Sequence, residues 1–78
     1  MFQYSKHLLH DKLLRPELNL TRERIDSVLA APEREEDKSA NERHYLGRVP
    51  DFDNRWLRVI VNPTTNIIVT AFFDRGIQ

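Results

Sequence analysis

Three consecutive segments decide the fold: Arg55-Trp56-Leu57-Arg58-Val59-Ile60-Val61, then Asn62-Pro63-Thr64-Thr65-Asn66, then Ile67-Ile68-Val69-Thr70-Ala71-Phe72-Phe73. β-branched and aromatic residues dominate the outer two, and turn formers fill the middle one. The pattern predicts an antiparallel hairpin with strands over 55–61 and 67–73. Successive side chains of a strand point to opposite faces. Leu57, Val59 and Val61 are one all-apolar set, and Ile67, Val69, Ala71 and Phe73 are another. Both sets are expected to lie together against the core, because a slip by one residue would drive Arg58 inward without a partner. The other face then carries Trp56, Arg58, Ile60, Ile68, Thr70 and Phe72. If Val61 opposes Ile67, Arg58 lies directly across from Thr70.

Upstream of the hairpin the pattern changes period. Ser5 is a suitable N-cap for a first helix that ends near Arg15, since Pro16 disfavours helical geometry in the residue before it. His7, Asp11 and Leu14 share one side of that helix, with His10 beside them. Thr21 caps a second helix over 22–31, with Leu20 and Ile25 as a hydrophobic staple and Ile25, Val28 and Leu29 as its apolar stripe. Pro32 follows its end. Residues 33–42 are polar and read as a solvated connection or an edge strand. A further strand covers Arg43–Val49, and Asp51-Phe52-Asp53-Asn54 reads as a loop. The fold class expected is α+β in one domain over 1–78: two N-terminal helices packed on an antiparallel sheet of three to four strands.

At 78 residues the chain has room for one modest core, burying roughly 60–65% of its unfolded surface. Such a domain is marginal alone, and a partner would help it. With no cysteine, neither disulfides nor zinc-thiolate sites add stability. No run approaches the roughly 20 apolar residues that span a bilayer, and the N-terminus lacks a signal-peptide profile. A cytoplasmic location without membrane contact is the expectation. Lys and Arg total 12, as do Asp and Glu, for a net charge of zero. Glu33, Glu35, Glu36, Asp37 and Glu42 concentrate acid in 33–42, so no polybasic surface is expected and DNA is not an expected partner.

The chemistry-bearing candidates are few. Arg58 beside Thr70, among aromatic neighbours, suits bidentate grip on a phosphate, and Trp56 or Phe72 can stack on a base. The plainer account is that arginine lays its methylenes across an exposed sheet and threonine favours strands. His7, His10 and Asp11 suit acid–base work or metal ligation. No second cluster completes a coordination sphere, so no metal is expected. His44 and Tyr45 point to opposite faces of their strand, so at most one joins a given site. Gly47 and Gly76 are the only glycines, which excludes a phosphate-binding glycine loop, and no nucleophile-elbow motif occurs.

Tyr4-Ser5-Lys6-His7, Leu20-Thr21, Ile25, Val28-Leu29 and Pro32 together resemble the helical half of a family of short bacterial domains of unassigned function. Arg43–Arg48, Trp56-Leu57-Arg58-Val59-Ile60-Val61 and Ile68-Val69-Thr70-Ala71-Phe72 resemble its strands. That family shows a Ser-x-His opening, an Ile-x-x-Val-Leu-x-x-Pro helix, an Arg-Leu-Arg-Val-Val strand and an Ile-x-Thr-Ala-Tyr strand. It is similar to the RelE-like toxins and the wider barnase/colicin/EndoU group of metal-independent ribonucleases. The chain departs from it in reading Lys12-Leu13-Leu14-Arg15-Pro16-Glu17-Leu18-Asn19 where an arginine-rich stretch and a glycine are usual, and in being neutral rather than basic. The resemblance implies a RelE/barnase-like sheet and a catalytic set of His7, Arg58, Thr70 and Tyr45, working without metal or other cofactor.

Two functions are therefore expected alternatives. In a toxin-like ribonuclease a ribose 2′-hydroxyl attacks the adjacent phosphate, with His7 as acid or base, Arg58 on the developing charge and Thr70 positioning a phosphate oxygen. RNA is then the substrate, and a cognate antitoxin-like protein or a homodimer the partner. In a non-catalytic protein-binding or regulatory module, Trp56, Arg58 and Phe72 form the recognition face, being residue types enriched in interface hot spots.

Overall fold

The computed structural model describes residues 1–77. The chain runs through β1 (Gln3–Tyr4), α1 (Lys6–His10), α2 (Arg22–Ala30), β2 (Arg34–Ser39), β3 (Glu42–Val49), β4 (Arg55–Asn62) and β5 (Ile67–Phe73). Two short 3-10 turns, Lys12–Leu14 and Pro16–Leu18, join the helices. The five strands make one sheet in the order β1-β5-β4-β3-β2. The fold is α+β, as the change of period predicts. The sheet is larger than the three to four antiparallel strands expected, and it is mixed, because β1 runs parallel to β5.

The second helix forms as its sequence dictates. Thr21 accepts a hydrogen bond from the Arg24 N–H at 3.2 Å, Leu20 and Ile25 are both buried, and the helix stops before Pro32. The first helix is shorter than expected. Ser5 caps it, accepting from the Leu8 N–H at 3.1 Å, but Asp11 leaves helical geometry at φ −127, ψ −73. Arg15 is extended at φ −104, ψ 100, as the residue before a proline prefers. The segment between them descends in 3-10 turns along β5, where the Lys12 ammonium donates to the Ala71 carbonyl at 3.0 Å. Tertiary contact replaces the last helical turns.

Leu57, Val59 and Val61 of β4 are fully buried beneath Leu8, Ile25 and Val28. In β5 the expected set fails: Ile68 and Ala71 are buried while Val69 is 42% exposed. The cause is a register shift. Val61 pairs with Ile68 and Ile60 with Thr70, so Val69 is the extra residue of a bulge. Arg58 consequently lies across from Phe72, not Thr70.

The bulge also receives the N-terminus. The Ser5 N–H donates to the Ile68 carbonyl at 3.0 Å, and the Ser5 hydroxyl donates to the Val69 carbonyl at 2.8 Å. Ser5, Lys12 and β1 thus satisfy carbonyls along the outer side of β5. At the far edge the acidic run forms β2, whose charged residues discourage pairing with another chain. Both helices pack on one face of the sheet; the other face carries no helix.

Candidate binding surface on the open sheet face

Even-numbered residues of β2, β3 and β4 share the open face, because Arg34 pairs with Leu46 and Leu46 with Arg58, while Glu36 pairs with His44 and His44 with Ile60. Leu46 is fully buried although it lies on the side away from the helices, so the long side chains around it form a lid. Arg58 is the centre of that lid. Its Nε donates to Asp74 Oδ2 at 2.8 Å and one terminal nitrogen donates to Glu36 Oε1 at 3.0 Å. The same nitrogen meets His44 Nδ1 at 2.7 Å. His44 Nε2 lies 2.6 Å from Glu42 Oε2. Arginine only donates, so His44 accepts through Nδ1 and carries its proton on Nε2, from which it donates a hydrogen bond to Glu42.

Electrostatics follow the geometry. Only 12% of the Arg58 side chain is exposed. Burial opposes its charge, but the hydrogen bonds to Asp74 and Glu36 outweigh that cost and hold its pKa above the ordinary arginine value. Glu36 is held below the usual carboxylate range by its hydrogen bonds to Arg58 and Lys38. Asp74 is likewise lowered, first by the Gly76 backbone N–H and then by Arg58.

Beside this cluster two guanidiniums stack on Trp56, that of Arg34 at 5.3 Å and that of Arg48 at 5.5 Å from the ring centroid. Arg48 is fixed in turn by Glu33, with contacts of 3.0 and 2.8 Å to one carboxylate oxygen. Ile60, Thr70 and the 37% exposed Phe72 continue the face across β4 and β5. The Thr70 hydroxyl oxygen is buried and makes no hydrogen bond.

The residues expected to act together do not meet on one side of the sheet. Arg58 and Thr70 share the open face. Tyr45 pairs with Val59 on the helix side, its ring edge-on to Phe2 at 5.9 Å. His7 sits on α1, also on the helix side, with its imidazole exposed and 3.7 Å from Asp11. Of the residues that complete the Arg58 cluster, Glu36, Glu42 and Asp74 escape the sequence reading, and His44, a candidate there, is not linked to Arg58. The signal for two of them is parity: once 34–39 is a strand paired with β3, Glu36 and His44 fall on the face of Arg58. Among the described residues no group of three or more His, Cys, Asp or Glu side chains is placed to hold a metal ion, and no helix is long and apolar enough to cross a membrane. No protein-family model, curated protein or solved structure matches this chain.

Proposed function

We propose that this chain is a non-catalytic protein-binding module that presents the open sheet face, with Trp56, Ile60 and Phe72 as contact residues around the Arg58 cluster. The observation that carries the reading is the engagement of Arg58, three of whose five N–H donors are taken by Asp74, Glu36 and His44. A guanidinium whose charge is already matched by two carboxylates is a poor phosphate clamp, since Glu36 and Asp74 repel a phosphate that approaches it. The same cluster uses both nitrogens of His44, so neither is free to act as an acid or a base there. Guanidiniums stacked on Trp56 occupy ring surface that a nucleobase needs. What remains is a rigid, charge-balanced patch of Trp, Arg, Ile and Phe, the composition from which protein interfaces draw their anchors.

A toxin-like, metal-independent ribonuclease is the reading this displaces, and one assay separates the two. Purified protein is incubated with RNA in EDTA and the products are examined for 2′,3′-cyclic phosphate ends. The binding module predicts no cleavage. Cleavage that disappears in Arg58→Ala while the fold persists would overturn it and restore the nuclease.

A further inference from the structure

We infer that a second site, a cleft between the 3-10 segment and the β4–β5 end of the sheet, binds a small organic phosphate through Lys12, Arg55 and Arg75. The cleft has a volume of about 230 Å³, and Lys12, Glu17, Phe52, Arg55, Phe73 and Arg75 are among its lining residues. An adjoining cleft of about 340 Å³ shares Arg55, Phe73 and Arg75.

An arginine without a carboxylate is not peculiar to this place, since Arg22 lies over the Tyr4 ring at 5.2 Å, but the cleft that Arg22 lines holds no other cation among the described residues. Among the described residues Arg15, Arg24, Arg43, Arg48 and Arg58 each meet a carboxylate at ion-pair distance. Arg55 and Arg75 meet none there; the Arg55 guanidinium lies over the Phe52 ring at 4.8 Å. Lys12 is aimed by its bond to the Ala71 carbonyl and lies over the Phe72 ring at 5.5 Å, with two of its three ammonium hydrogens not used by that bond. Three cations thus line one cleft with Glu17 as its acid, while Asp53 and Asp74 line the adjoining one. A phosphate monoester carries close to two negative charges near neutral pH and offers several acceptor oxygens to guanidinium forks. Phe52 and Phe73, tilted against each other at 4.8 Å, give the apolar part of the ligand a wall. The cleft is below the roughly 300–1,000 Å³ usual for drug-sized ligands, so its occupant is small. Phe72 lines this cleft as well as the open face, and Trp56 and Asp74 line the adjoining one, so the test rests on Arg55 and Arg75, which the protein-binding proposal does not use.

Phenyl phosphate is the probe, with phenol and inorganic phosphate as separate arms, followed through backbone amide shifts in the folded full chain. The expected result is saturable binding of phenyl phosphate at least tenfold tighter than either part, with shifts clustered at Arg55, Phe73 and Arg75. Arg55→Gln and Arg75→Gln are each expected to weaken it at least fivefold. Both side chains are exposed, so these variants keep the fold. Arg43→Gln, which removes the same charge from the distant β3, is expected to leave binding unchanged. Absence of saturable binding would overturn the inference, as would inorganic phosphate binding as tightly as the ester. Equal weakening by Arg43→Gln would reduce the effect to net charge and overturn it too. A single-stranded RNA oligomer that occupies the cleft more tightly than phenyl phosphate would replace the small ligand with a polymer.

Discussion

Arg58 stands out in the sequence because it is the one charge in an apolar alternation, and parity alone puts it on the face away from the helices. Its partners are not legible there. Glu36 and Asp74 lie 22 and 16 positions away in sequence, one in a run that composition describes only as solvated charge, the other just beyond the last strand. Their lowered pKa values make stability depend on pH. Unfolded, glutamate titrates near 4.5 and aspartate near 3.8. A carboxylate whose folded pKa is depressed contributes stability that is complete above the unfolded value and is lost as pH falls through the folded one. Urea unfolding is therefore expected to show stability declining below about pH 4.5. In Arg58→Met the decline is expected to be shallower, since Glu36 loses its main lowering partner and Asp74 keeps the Gly76 N–H but loses the cation. An acid limb unchanged in Arg58→Met would show that the cluster does not couple to folding.

Among the elements, α2 and β4 are read correctly from local pattern, because capping residues and strict alternation are local signals. The shift in β5 is not legible, since Ile67, Ile68 and Val69 are equally apolar and nothing in their composition marks the extra residue. The early end of α1 escapes for a related reason: it follows from Lys12 and Ser5 bonding to β5 carbonyls, a contact across the whole length of the chain. Ser5 links cap, bulge and β1. Ser5→Ala is expected to cost about 1–2 kcal/mol, for a lost cap together with a lost hydrogen bond. Thr21→Ala, which loses a cap alone, is expected to cost about 1 kcal/mol or less. Thermal melts ranking Thr21→Ala as the worse of the two would contradict Ser5's linking role. A second constraint lies where α2 crosses β3. A Cβ at Gly47 would sit 3.3 Å from a Val28 methyl carbon, closer than buried groups accept without movement. Gly47→Ala is expected to destabilise by about 1 kcal/mol through overpacking, and Gly47→Ala combined with Val28→Ala is expected to cost less than the two changes summed. Additive costs would show that α2 and β3 do not press on each other there.

For the whole molecule, the sheet has two blunted edges and one uncovered face. β1 is two residues long and β2 is charged, so strand addition at either edge is disfavoured. Association then falls to the open face, where a domain this small also gains stability from a partner. A photo-crosslinking residue replacing Ile60, with one replacing Glu23 on α2 as the control, reads that face directly in cells. The account predicts a discrete protein adduct from position 60 and none from position 23. After identification of that protein by mass spectrometry and reconstitution of the complex from purified components, Trp56→Ala and Phe72→Ala should each weaken it at least tenfold. RNA as the crosslinked species, or a reconstituted complex indifferent to both substitutions, would contradict the claim that the open face is a protein-binding surface.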